Sequence, residues 1–255
     1  MMSRTVLVTL QFDGGRFAGW QRQARGRTVQ EEVEKVLARL TGQTIRAHAA
    51  GRTDAGVHAI GMGISTVVPD RWVATELRRA LNALLPEDCW AADCREMKAG
   101  FHARKCATSR GYRYVLGTDE AARSPFRRRY EWALGEPVDP GLLAGAAARL
   151  AGEHDFTAFS VRSSAREHKR CRIERAEWRT RPDCTGYQLE IVADRFLHHM
   201  VRMLVGTMVD IGLNRRPSEE IDLLLGGSAN LRTSPPAPPE GLYFLEARFP
   251  AEWYV

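Results

Sequence analysis

Over roughly the first hundred residues the spacing of apolar side chains switches from every second position to every third or fourth and back, twice. Val6, Val8, Leu10 and Phe12 alternate with Leu7, Thr9 and Gln11, as in a strand with one strongly apolar face. Thr28 and Glu31 form a capping-box pair, and Val29, Val33, Val36, Leu37 and Leu40 then recur at helical spacing up to a stop at Gly42. Thr44 to Ala49 reads as a short strand. Residues 59–68 read as another, weakened by Gly61 and Gly63. Trp72, Leu77, Leu81 and Leu84 mark a second helix ended by Pro86, and a last strand follows around Cys89 to Cys94. The resulting order, β-α-β-β-α-β, is the ferredoxin-like arrangement.

The second half repeats this logic with longer excursions. Tyr112, Tyr114 and Leu116 share one strand face, and Leu142, Leu143, Ala146, Ala147 and Leu150 make a helix stripe. Arg172 to Thr180 and Tyr187 to Ala193 read as two strands paired around Pro182–Gly186, followed by a long helix from Phe196 to Gly212. Ser218 is placed to cap a shorter helix that stops at Gly226-Gly227. A Pro-rich connector over Ser234–Glu240 leads to a closing strand, Leu242 to Phe249. The expectation is therefore an α+β chain of two ferredoxin-like (RRM-like) halves, residues 1–105 and 106–255, joined near Gly100–Gly111.

Composition narrows the partners. Of 255 residues, 37 are Lys or Arg and 31 Asp or Glu, a net charge of +6, and the isoelectric point is about 9.3. That moderate excess fits a polyanionic partner without requiring one. The five cysteines, Cys89, Cys94, Cys106, Cys171 and Cys184, include no C-x-x-C pair. An odd count in a chain of this size argues against a disulfide framework and for reduced thiols in the cytoplasm. The N-terminus runs straight into a strand pattern without a signal-type apolar core, and no stretch is long and apolar enough to span a bilayer.

Four segments have residues suited to chemistry. Gly51-Arg52-Thr53-Asp54-Ala55-Gly56-Val57-His58 packs Arg, Thr, Asp and His between two glycines. It reads either as a simple turn closed by the Asp54 side chain or as a loop that presents catalytic groups. Gly19-Trp20-Gln21-Arg22-Gln23 offers a Trp that either stacks on a base or anchors a loop in the core. In Tyr112-Arg113-Tyr114 the two rings share a face, as a base-stacking platform or as ordinary sheet packing. In Arg195 to Arg202, helical spacing puts Arg195, His198 and Arg202 on one face. His198 and His199 are adjacent and do not converge as metal ligands, so no metal is expected. Basic clusters accompany these segments: Arg22, Arg25 and Arg27; Arg123 with Arg127, Arg128 and Arg129; and Arg162, Arg166, Lys169, Arg170 and Arg172. Each alone reads as a solvated face; interleaved with Trp20, Phe126 and Tyr130, the three together favour an RNA footprint.

Taken in order, the segments resemble a known family. Gly51–His58 is similar to the G-R-T-D-A-G-V-H signature of the tRNA pseudouridine synthase A family. Around it stand Asp13 with Gly19–Gln23, Asn82–Pro86, Phe101–Arg104, Tyr112–Tyr114, His154–Thr157, Phe196–Arg202 and Gly241–Tyr243, so the resemblance spans nearly the whole chain. It implies a central mixed, mostly antiparallel sheet with a basic active-site cleft between the two lobes, a homodimer, and no metal or organic cofactor. It implies an isomerase that turns uridine into pseudouridine in the anticodon arm of tRNA, at positions 38, 39 and 40. Matched residue by residue, Asp54 is the catalytic aspartate, Arg202 the arginine that pairs with it, Tyr112 the ring that stacks on the target uracil, and Arg52 a basic residue that helps extrude the base. His58, Trp20 and Gln21 are further expected substrate contacts. The sequence departs from the family after His58, where Met62 stands in a stretch that usually carries a Gln.

Three rivals remain at this level: an RNA-binding module without catalysis, a synthase acting on other RNA positions, and a hydrolase using Asp54 and His58. The last lacks the accompanying metal cluster or nucleophilic Ser or Cys.

Overall fold

The computed structural model describes residues 2–161, 169–182, 185–227 and 231–255. The chain divides into two compact units. Unit 1 is Met1–Arg110 together with Tyr243–Val255, and unit 2 is Gly111–Leu242.

In unit 1, β1 (Ser3–Phe12), α1 (Val29–Thr41), β2 (His48–Ala49), β3 (His58–Pro69), α2 (Ala74–Asn82) and β4 (Cys89–Met97) follow the expected order. β1 lies between β3 and β4, antiparallel to both, and β2 pairs antiparallel with β3. The apolar residues of β1 are buried, with Val6, Val8, Leu10 and Phe12 all in the core. α1 ends at Gly42, whose φ of 73° is the left-handed conformation glycine adopts without strain. Thr28 stands at the N-cap but makes no side-chain cap bond; its Oγ1 is buried without a hydrogen-bond partner among the described residues, so the expected capping box does not form.

A short helix, α3 (Ala103–Cys106), leads into β5 (Ser109–Gly117). The closing strand β10 (Leu242–Arg248) runs parallel to β3, with Tyr243 opposite His58 and Phe244 opposite Ala59. It thus packs with the first unit, although a boundary at 105/106 assigned it to the second lobe. Local spacing identifies a strand but not its distant partner. Gly61 sits where the two strands approach: a Cβ there would lie 2.1 Å from the Leu245 carbonyl oxygen. Met62 is fully buried opposite Leu10. A thioether suits this apolar site better than an amide.

In unit 2, β5 neighbours β9 (Gly186–Ala193), which pairs antiparallel with β8 (Arg170–Thr180), and β8 with β7 (Gly152–Asp155). A two-residue strand, β6 (Trp132–Ala133), runs parallel to β5. α4 (Pro140–Ala148) is capped by the Asp139 carboxylate, which accepts from the Gly141 and Leu142 amides. α5 spans Met200–Gly212 and α6 Glu220–Leu225. Both begin later than sequence periodicity suggests. Residues 196–199 are not helical, and the Ser218 hydroxyl donates to the Glu219 carboxylate rather than capping α6. The chain is thus an α+β fold on mixed, mostly antiparallel sheet, and no helix among the described residues is long and apolar enough to cross a membrane.

Gly61→Ala is expected to destabilise the protein by about 2 kcal/mol or more, because the added methyl has to push one strand off the other. A urea unfolding midpoint equal to that of the wild type would contradict this packing.

Candidate active site

The loop that carries Asp54 joins β2 to β3. Its shape is imposed by backbone contacts from residues 14–20. The Trp20 amide donates to the Thr53 carbonyl at 3.1 Å, and the Gly56 amide donates to the Phe17 carbonyl at 3.3 Å. Gly19 has a φ of 98°, and a Cβ on it would lie 2.6 Å from the Thr53 oxygen; one on Gly14 would lie 2.0 Å from the Val57 oxygen. Only glycine permits this approach. Within the loop the Val57 amide donates to the Asp54 carbonyl at 3.2 Å, with Gly56 at a φ of 80°, as a type II turn requires at that position. Upstream, the Arg110 guanidinium donates to the Ala50 carbonyl at 3.2 Å. Asp54 is half-buried and Arg52 exposed.

His58 opens β3 and is 3% exposed. Its Nδ1 accepts from the Gly14 amide at 3.1 Å and lies 3.2 Å from the Asp13 carboxylate, while its ring stacks on Tyr243 at 4.8 Å. The expected substrate contact is therefore a brace beneath the loop. Trp20 is likewise 2% exposed, and its carbonyl accepts from the Gln30 amide at 3.0 Å. It anchors the loop in the core and has no face to offer a base. Its polar neighbours Gln21 and Arg22, which suggested an exposed ring, point to solvent without it. Arg27, from the first basic cluster, makes a two-bond pair with Asp88 at 2.6 and 2.9 Å and lies 4.2 Å over the Phe17 ring, a structural use of the charge. Its pairing with Asp88 raises an already high pKa further.

In unit 2, Tyr112, Tyr114 and Leu116 share the buried face of β5. Tyr114 is fully buried and donates its hydroxyl to the Pro238 carbonyl at 2.8 Å. Burial holds its pKa well above the usual value, and the nearby Arg202 guanidinium offsets part of that rise. Tyr112 is 8% exposed, with the Phe196 ring edge-on to it at 5.0 Å and 83°. The segment 195–199 that precedes α5 ends on His199, which is left-handed at φ 63°, an unusual and strained choice for a non-glycine residue. The His198 and His199 rings lie 4.1 Å apart. Because these residues precede the helix, Arg195, His198 and Arg202 do not share a helical face. Arg202 stands in the first turn of α5, at the positive end of the helix dipole, where a cation is disfavoured. Two bonds to the Pro-rich segment hold it: its Nε donates to the Ala237 carbonyl at 2.7 Å, and the Ala237 amide donates to its carbonyl at 2.9 Å. Sequence reasoning had no signal for this anchor, since Ala237 is 35 positions away.

Among the cysteines, Cys89 and Cys94 are buried free thiols whose pKa is pushed up to about 12 by burial. They are inert packing residues. Arg162 and Arg166, of the third basic cluster, lie outside the described residues.

A family model for tRNA pseudouridine synthase matches residues 9–104 and 146–250, which include the Asp54 loop and the Arg202 turn. The chain belongs to the tRNA pseudouridine synthase family. Among curated relatives, a tRNA pseudouridine synthase A of Moorella thermoacetica is 41% identical over 237 residues, 92% of this chain and 95% of that protein. One of Streptococcus pneumoniae (strain Taiwan19F-14) is 39% identical over 245 residues, 95% of this chain and 97% of its own length. Tyr112 falls outside both stretches of the tRNA pseudouridine synthase model, so its assignment rests on the Tyr112-Arg113-Tyr114 motif and its place on β5.

His58→Ala removes the acceptor for the Gly14 amide and the ring stacked on Tyr243. A loss of about 2 kcal/mol is expected, read as a lowered urea midpoint. An unchanged midpoint would contradict this bracing role.

Proposed function

We propose that this chain isomerises uridine to pseudouridine in tRNA, with Asp54 as the catalytic carboxylate. The observation that carries the reading is the G-R-T-D-A-G-V-H loop, held by backbone clamps from residues 14–20, within a chain that matches the family over most of its length. The reaction breaks the N1–C1′ glycosidic bond, turns the uracil and joins C5 to C1′. A stacked base has no freedom to do this, so the nucleotide is first flipped out, at a cost of a few kcal/mol. In this reading Tyr112 stacks on the everted uracil, which returns about 1–3 kcal/mol. Arg52, exposed beside the aspartate, assists extrusion. Asp54 acts ionised, whether it attacks C1′, attacks C6 or takes a proton from C2′. Arg202 is its cationic partner. A guanidinium kept at the positive end of a helix, against the dipole, favours an anion as its neighbour. Substrate uridines lie in the anticodon arm, the enzyme works as a homodimer in the cytoplasm, and no metal or organic cofactor takes part.

Asp54→Asn is expected to abolish pseudouridine in an unmodified tRNA, scored by mass spectrometry, while tRNA binding stays near the wild-type level. Turnover close to wild type would remove Asp54 from the mechanism; binding without turnover in the wild type itself would favour an RNA-binding module. Affinity should fall steeply with salt, by roughly 0.7–0.9 log units per log unit of salt for each phosphate neutralised, and a flat response would contradict an electrostatic footprint.

A further inference from the structure

The turn between β5 and β6 holds an aromatic ring in water. Phe126 is 88% exposed, yet the turn beneath it is firmly built. The Arg127 and Arg128 amides donate to the Ser124 carbonyl at 3.0 and 2.8 Å, the Tyr130 amide donates to the Arg127 carbonyl at 2.8 Å, and the Phe126 amide donates to the Ser124 hydroxyl at 3.3 Å. The Arg127 guanidinium turns inward. It donates to both oxygens of Asp119 at 2.7 and 2.9 Å and lies 2.9 Å from the buried Glu131, which also pairs with Arg181. This bonding holds the Asp119 carboxyl below the usual range. Ala122 is fully buried, and a Cβ on Gly117 would lie 2.5 Å from it. The ring is therefore presented by a fixed scaffold.

Charge distinguishes the kinds of partner. Arg127 is neutralised within the turn. Arg123, Arg128 and Arg129 are exposed and form no ion pair among the described residues. The Arg129 guanidinium lies 6.0 Å over the ring of Tyr130, itself exposed. An apolar protein surface would meet three uncompensated cations here. An unpaired nucleotide offers a π face for the ring and a phosphate for the guanidinium groups, the combination that single-stranded nucleic acid sites use. The segment lies outside both stretches matched by the family model.

We propose that the turn Ser124–Tyr130 is a second RNA contact, in which Phe126 stacks on an unpaired base of the bound tRNA and Arg128 and Arg129 hold the adjoining phosphates. The inference rests on tRNA being the substrate. The test measures binding of an unmodified tRNA transcript by fluorescence anisotropy across a salt series, steady-state kinetics, and the mass of the free protein by light scattering. Phe126→Ala should weaken binding about tenfold, with the loss falling on KM rather than kcat, and Phe126→Trp should restore it. Arg128→Gln with Arg129→Gln should reduce the salt slope by roughly 1–2. Wild-type affinity in Phe126→Ala would overturn the proposal, as would a change in its oligomeric mass, which would make the ring a protein–protein contact. Wild-type protein that binds tRNA but forms no pseudouridine, with binding still lost in Phe126→Ala, would strike the proposed activity and leave this contact standing.

Discussion

Residues 14–20 lie against residues 53–57 at backbone contact, and the placement of Asp54 depends on that contact. Gly14 and Gly19 remove the side chains that would hold the two segments apart, and two amide–carbonyl bonds then fix their register. A loop of this length carries too few bonds of its own to keep one shape, and each unfixed residue costs roughly 1–2 kcal/mol in conformational entropy when it is finally ordered. Here that ordering occurs on folding. Trp20 and His58 complete the arrangement from below, the first as an anchor in the core and the second as an acceptor for Gly14 stacked on Tyr243. The C-terminal strand thus bears on the loop through Tyr243, although it is nearly 190 residues away in sequence.

Unit 2 shows a comparable economy around Arg202. The helix dipole works against the guanidinium, and its hydrogen bond to the Ala237 carbonyl holds it in place. The left-handed His199 ends the irregular segment and turns the chain into α5. Strain of this kind, of order 1–3 kcal/mol, persists where surrounding structure imposes it. Tyr112 and Phe196 meet edge to face in the same unit.

Much of the first unit was legible because its information is local. Alternation in β1, the helical stripe of α1 and the glycine stop at residue 42 each depend on near neighbours, and the strand and helix order follows from them. The signature around Asp54 was legible as a motif, but its bracing was not, since Gly14 and Gly19 act on residues more than thirty positions away. Trp20 was ambiguous for the same reason: polar neighbours suggested an exposed ring, and only the tertiary contact decides. Apolar spacing continues through Phe196 and Leu197, yet the backbone there is not helical and α5 starts only at Met200. The pairing of β10 with β3 has no local signature beyond Gly61, whose missing side chain marked a weak strand and in fact marks a close approach.

In the proposed reaction the position of the Asp54 carboxylate matters as much as its charge. Asp54→Glu tests this most directly, because it keeps the charge and moves the oxygens outward by one methylene on an otherwise intact loop. Single-turnover pseudouridine formation on an unmodified tRNA should fall by about a hundredfold or more, the scale of loss that a displacement of roughly 1 Å produces in a positioned reaction. A rate within a few-fold of wild type would contradict the claim that the braced loop sets the geometry of the reaction.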